Sequence, residues 1–345
     1  MPFSFTPDKK IRNKNSNFSR DSFRQKLKPQ AILALNPAGF GDMLRQINKF
    51  LWVSDYYGYR AKVFTTGIND RNEISISEFF DELNITSDNL LSNYFDFDRS
   101  LSFTRFLDST KRFKNPLSTH YFRFDGKSYH TSFNPDLQKS FNIQHPRLLS
   151  ALKKGNFYKQ VIQTKETKQK PKICIHVRRG DTARVKVADA RSIIKEKVNP
   201  DKFLYPQGVS LPFWMEKKVE ASFLERYKKI DDYQTKLEEI VSGLTQPYEI
   251  ILISDGMTKL ADNLKQNFNY IFKNHEISKL EIEDALNSEF EQILEKVDRY
   301  WIGEKETFWD SLIEAASSDI IISNSPAFIK DTTKGLGINI QFVKP

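Results

Sequence analysis

The hexapeptide His176-Val177-Arg178-Arg179-Gly180-Asp181 holds the densest set of reactive side chains in the sequence. It follows the apolar run Ile173-Cys174-Ile175, so it stands at the carboxyl end of an expected strand, where α/β folds build ligand sites. Side chains alternate along a strand, so His176 and Arg178 share one face and Arg179 points elsewhere at the turn. Two guanidiniums beside a glycine turn suit a diphosphate, because arginine donates paired, permanently charged hydrogen bonds. Asp181 could orient an arginine or accept from a hydroxyl. A structural ion pair at a strand end would use the same residue types.

Three further turns sit at expected strand ends. Gly39-Phe40-Gly41-Asp42 follows the apolar run 31–35 and opens a helix. Glycines there let a ligand reach the backbone, and helix-terminal N–H groups favour an anion; close strand–helix packing would also demand them. No third glycine and no acid about 20 residues on complete a dinucleotide fingerprint, and Gly-Lys-Ser/Thr is absent. Ser323-Asn324-Ser325-Pro326 follows Ile320–Ile322 and can cradle an anion or simply cap a helix that has proline in its first turn. Ser254-Asp255-Gly256 follows Ile250–Ile253 and reads more as a structural turn than as a binding one. The five histidines lack a metal-ligand spacing, and no Gly-x-Ser-x-Gly nucleophile elbow occurs. Asp96-Phe97-Asp98 has the Asp-x-Asp form that metal-dependent glycosyltransferases use to hold a metal and a sugar diphosphate, although so short a pattern arises readily by chance.

Two αβ series must position these turns. Residues 31–64 read as strand, helix, strand, which predicts a parallel pair joined by a crossover. Tyr121–Phe133 around Asp125-Gly126 reads as a hairpin. Residues 145–162 read as a helix, and the polar stretch 163–172 as a linker. The second series runs from strand 173–177 through a loop with a short helix (182–210) and a long charged helix within 211–243. Strand 250–253, helix 257–267, an acidic helix over 278–300 with a solvated face, and helix 307–317 follow. Strand 320–322, a helix after Pro326 and strand 339–343 close it. The expected domains are a basic, solvated arm (1–28), an α/β domain (29–165) and a second one (170–345), with ligands in the cleft between the last two.

Composition sets the outer limits. The chain of 345 residues is 39% hydrophobic and 28% charged, which excludes a collagenous or wholly disordered protein. No apolar run is long enough to span a membrane. One cysteine, Cys174, leaves no intramolecular disulfide and no cysteine-based zinc site. Of the net charge of +9, +6 falls in residues 1–28. That arm could touch nucleic acid or an anionic membrane surface; the nearly neutral body argues against a specific nucleic-acid-binding domain. The start MPFSFTPDKK has no apolar core of a secretory leader, so a cytoplasmic, reduced protein is expected.

In this order along the chain, the Gly-Phe-Gly-Asp loop, His-x-Arg-Arg-Gly-Asp, Ser-Asp, and Asp310 followed by Ser323-x-Ser325-Pro326 resemble the GDP-fucose-dependent fucosyltransferases. The likeness is nearest to the α1,6 group, including the nodulation-factor enzymes, and covers about residues 31–64 and 170–336. It implies a GT-B-like α/β architecture, two Rossmann-type domains facing a central cleft. It implies inverting transfer from a GDP-sugar, most simply GDP-fucose, to a hydroxyl of a glycan acceptor, with no metal or other cofactor. By position, Arg178 would neutralise charge on departing GDP, and Arg179 would support the motif or the sugar. His176 would lie near the nucleotide, Asp310 would read the guanine edge, and Ser323 or Ser325 would hold phosphate oxygens. Gly39, Gly41 and Asp42 would border the cleft, with Asp255 at the neighbouring strand end. The α1,6 group carries a glutamate shortly after the arginines. Here no acid stands between Thr182 and Asp189, so Asp181 and Asp189 are the candidates for the base. A metal-dependent transferase using Asp96 and Asp98, a non-catalytic sugar-nucleotide or glycan-binding protein, and a nucleic-acid-binding protein led by residues 1–28 are the rival readings.

Overall fold

The apolar runs become parallel strands because both of their faces are covered. The computed structural model describes residues 30–35, 40–65, 81–85, 119–122, 135–179, 182–185, 187–206, 227–271, 278–303 and 308–345. The first unit contains β1 (Gln30–Leu35), α1 (Phe40–Tyr57), β2 (Arg60–Thr65) and β3 (Thr119–Phe122), with strand order β2-β1-β3 and both pairings parallel. Met43, Leu44, Ile47, Phe50 and Leu51 recur at helical spacing and make the buried stripe of α1. Three helices follow: α2 (Pro135–Ser140), α3 (Pro146–Leu152) and α4 (Asn156–Thr167). α3 has Pro146 at its first position and is capped by His145, whose Nδ1 accepts from the Arg147 N–H at 3.2 Å.

The second unit begins with β4 (Lys172–Val177), β5 (Ala183–Arg184), α5 (Val187–Glu196) and β6 (Tyr205–Pro206). It continues through α6 (Ile230–Ser242), β7 (Glu249–Ser254), α7 (Thr258–Ile271), α8 (Lys279–Asn287) and α9 (Glu291–Leu294). It ends with β8 (Arg299–Ile302), α10 (Phe308–Ser317), β9 (Ile320–Ile322), α11 (Ala327–Thr333) and β10 (Gln341–Val343). Its five-stranded sheet is entirely parallel, in the order β10-β9-β4-β7-β8. β5 and β6 make a separate antiparallel ribbon. The chain is therefore an α/β protein with a doubly wound sheet.

Alternation divides the sheet into two apolar layers. Ile173, Ile175, Val177, Ile250, Leu252 and Ile322 pack with Tyr233 and Leu237 of α6 and with Phe290 and Ile293. Cys174, Ile251, Ile253 and Ile321 face the other way and join Leu312 and Ala316 of α10. That second core also takes in Leu33 of β1, Ile47 of α1 and Phe157 of α4, so apolar packing is continuous between the two units. α4 packs on α10, and α1 packs on α11.

Several expectations are corrected. Residues 145–162 hold parts of two helices, α3 and α4, broken at Gly155, where an added Cβ would stand 2.7 Å from the Glu82 carbonyl oxygen. The stretch 163–172 is half helix: α4 continues to Thr167, and 168–171 lead into β4. The expected helix over 278–300 is α8, a 3-10 turn (Ser288–Phe290), α9 and then strand β8. Within 182–210 the described residues add the β5–β6 ribbon to the expected short helix. The helix within 211–243 runs from Ile230 to Ser242. Tyr121 and Phe122 belong to a strand parallel to β1, and Asp125-Gly126 lies outside the described residues, as does the arm 1–28.

Candidate active site at the carboxyl edge of the second sheet

The sheet order places a topological switch at β4 and β9. The chain leaves β4 toward β7 and β8, then crosses back through α10 to β9 on the opposite side. Open α/β sheets form a crevice where the winding reverses, just outside the carboxyl ends of the strands. His176 and Arg178 lie at that end of β4, and Ser323 and Ser325 at that end of β9.

The four side chains meet across this point. His176 Nδ1 and Ser323 Oγ share a hydrogen bond at 2.8 Å. Ser323 Oγ also accepts from the Ser325 N–H at 3.1 Å, which shapes the turn after β9. The Arg178 guanidinium donates to Ser325 Oγ at 3.3 Å. Phe328, in the first turn of α11, tilts against the His176 ring with centroids 4.9 Å apart. Burial, and then the Arg178 charge, push the His176 pKa down to about 3. The imidazole is therefore neutral at neutral pH and acts as a hydrogen-bonding wall beside a half-buried cation. Asn324, between the two serines, accepts from the Tyr233 hydroxyl at 2.8 Å, tying the turn to α6.

Arg179 goes to the opposite side, into the interior. Its side chain has 0% exposure, so it touches no ligand in this arrangement. Its Nε donates to Glu289 Oε1 at 2.7 Å, with Glu289 only 1% exposed, and its guanidinium lies 4.8 Å from the Tyr227 ring centre. Burial opposes the Arg179 charge; Glu289 outweighs it and holds the pKa above the usual arginine value. The Arg179 backbone N–H donates to Asp255 Oδ1 at 2.6 Å. Arg179 thus positions the end of β4, and Asp255, exposed at the end of β7, fastens the neighbouring turn. In that turn Gly256 takes φ +62, and an added Cβ would stand 2.8 Å from the Cα of Gly303.

Of the glycine loop, the structure describes Phe40, Gly41 and Asp42. Gly41 is buried in the first turn of α1, where a Cβ would meet Asp331 Oδ2 at 2.9 Å and the Phe328 Cα at 3.0 Å. Its lack of a side chain lets α1 approach α11, which is helix–helix packing rather than room for a ligand. Asp42 is exposed and pairs with Arg45. Asp310 is exposed in the first turn of α10, whose start follows the carboxyl end of β8 and so borders the same edge of the sheet. Asp189 is half-buried in the first turn of α5. Gly39, Gly180, Asp181, Asp96 and Asp98 lie outside the described residues.

Glu289, Tyr227 and Phe328 were not singled out from sequence. Glu289 did leave a signal: it follows Ile282 and Leu286 and precedes Ile293 at helical spacing, a carboxylate on an otherwise apolar stripe. Among known proteins, no family model and no curated sequence matches this chain. No helix among the described residues is long and apolar enough to cross a membrane.

Proposed function

We propose that the edge formed by β4 and β9 is the donor site of a glycosyltransferase that moves a sugar, most simply fucose, from a GDP-sugar to a glycan hydroxyl. The observation that carries this reading is the meeting of Arg178 with Ser325, and of His176 with Ser323, across the switch point. The likeness of the motif order to GDP-fucose-dependent enzymes supplies the nucleotide and the sugar. On this reading the two parallel sheets are the halves of a GT-B-like pair, with the acceptor on the side of the first.

The acceptor oxygen attacks the anomeric carbon as the bond from that carbon to the β-phosphate oxygen breaks. The electron pair leaves with GDP, and Arg178 meets the charge that develops there, a stabilisation larger in the transition state than in the ground state. Ser325 holds phosphate oxygens, buried Ser323 shapes the turn that presents it, and neutral His176 keeps the wall polar without adding charge. Asp310 takes the guanine N–H edge. The acceptor proton passes to Asp181 or Asp189. This mechanism asks nothing of a metal; dependence on a divalent ion would instead favour Asp96 and Asp98.

The test is calorimetric titration of the full chain with GDP, UDP, CMP and ADP, alone and with Arg178→Ala. Loss of a charged contact to phosphate should cost about 2–3 kcal/mol, roughly 30- to 150-fold in affinity. Selective GDP binding weakened to that extent supports the donor site, and release of GDP from GDP-fucose, lost in Asp181→Asn or Asp189→Asn, identifies the base. Binding of GDP without turnover on any glycan favours the non-catalytic reading, which the acid-free stretch 182–188 also suits. No nucleotide binding, or binding unchanged in Arg178→Ala, sinks the proposal.

A further inference from the structure

Away from this edge, α1, α2, the turn 141–144 and the end of α11 line a half-open cavity of about 710 Å³. That is within the size of ordinary small-molecule sites, about 300–1,000 Å³. Among the described residues its ionisable lining is mostly basic: Arg45, Lys49, Lys139 and Lys334 face it with the carboxylate Asp331. Two further acids bind these cations at the rim, Asp42 on Arg45 and Asp136 on Lys139 at 3.3 Å. Both pairs are solvent-exposed and weak competitors for a ligand. Arg45 also holds Asp331 at 3.1 Å.

The walls are built before any ligand arrives. Asn48 Nδ2 donates to the carbonyls of Phe141 and Ile143 at 3.3 and 3.0 Å, while its Oδ1 accepts from the His145 N–H at 2.7 Å. These bonds pin the 141–145 turn onto α1, with Phe141 buried against the cavity and Lys49 above its ring. Burial, and then the nearness of Arg45, lower the Lys49 pKa against the opposing pull of Asp42.

We propose that this cavity is a second ligand site, distinct from the β4–β9 edge, for an organic polyanion of mono- or disaccharide size carrying carboxylate, sulfate or phosphate groups. Lys139 and Lys334 supply exposed cations, Lys49 a cation over the Phe141 ring, Arg45 a cation oriented by Asp331, and Phe141 an apolar wall. The site does not depend on the activity proposed for the other edge.

Titration of the full chain with sucrose octasulfate, citrate and sucrose tests it. At low salt at least one of the two anions should bind, weakening as salt rises, and uncharged sucrose should not. Lys49→Met/Lys334→Met should weaken the anion by about tenfold or more, because a charged contact is lost at each position. Two controls must stay within about twofold: Arg178→Ala, and Lys9→Met/Lys10→Met, which removes the same charge from the basic arm. If the first variant does not fold, Lys139→Gln/Lys334→Gln, at two exposed positions, replaces it. Binding of octasulfate alone points to a sulfated or phosphorylated sugar, and binding of both anions to small carboxylates as well. The proposal is overturned if neither anion binds, if sucrose binds equally, or if the arm or Arg178 variant weakens binding as much as the cavity variant.

Discussion

Glu289→Ala should be among the most destabilising single changes in the second unit. It leaves the Arg179 charge in place, with 0% exposure, and removes the carboxylate 2.7 Å from its Nε. Removing one partner of a buried ion pair costs about 3–5 kcal/mol, because the remaining charge cannot return to water. Unfolding entropy is about 2.1 cal/mol/K per residue, so for 345 residues melting as one unit the midpoint should fall by about 4–7 °C. Thermal melts followed by circular dichroism, with urea midpoints beside them, read the change. Glu289→Gln, which keeps an acceptor but not the charge, should lie between. The double variant Arg179→Met/Glu289→Leu removes both charges and leaves apolar side chains beside the Tyr227 ring, and should recover most of the loss. The reasoning is refuted if Glu289→Ala melts within about 1 °C of the parent, or if the double variant is as unstable as the single one.

Three further outcomes follow from the same geometry. His176 has its pKa depressed from 6.5 to about 3, so the folded state resists a proton the unfolded chain accepts. Its stability contribution is full above pH 6.5 and falls as pH drops toward 3, by at most about 1.4 kcal/mol per unit. The stability gap between the parent and His176→Gln should narrow over that window; a constant gap rejects the assignment. Asp331 is shifted the other way, by burial against the opposing pull of Arg45, from 3.8 to about 6. Its favourable contribution is present below pH 3.8 and lost as pH rises through 6, so Asp331→Asn should gain about 1–2 kcal/mol on the parent between pH 4 and pH 7 in urea melts. Gly41→Ala should cost about 1–3 kcal/mol by forcing α1 from α11, and should weaken nucleotide binding through Phe328, as calorimetry of the same variant will show.

The inner strands β4, β7 and β9 of the second sheet were legible because they are covered on both faces and therefore read as unbroken apolar runs, as in Ile250–Ile253 and Ile320–Ile322. β8 escaped notice for the converse reason. It is an edge strand with Arg299 and Tyr300 exposed, and the apolar spacing of the preceding helices runs on into it. Helix breaks were hidden where tertiary contact makes them, as at Gly155 against the 82–83 backbone. The polar run at 163–172 looked like a linker because α4 exposes most of its last turns.

At the site, the division between Arg178 and Arg179 depends on both local and distant information. Alternation along β4 was enough to send the two guanidiniums apart. Which of them faces solvent depends on Glu289, 110 residues away, and only the fold brings that carboxylate under the strand end. The pair then has a single logic. Arg179 spends its charge inside, against Glu289 and Tyr227, and its backbone N–H is held by Asp255, so the residue before it has little freedom in where its chain end points. Arg178 inherits that rigidity with its own charge still half-exposed, beside a histidine kept neutral and a turn held by Tyr233 and Asn324. A cation held in place from below, with the Ser325 hydroxyl at its guanidinium, is suited to an anion that arrives from solvent. Had Arg178 been offered Glu289 instead, the same two residues would have made a closed ion pair and no site.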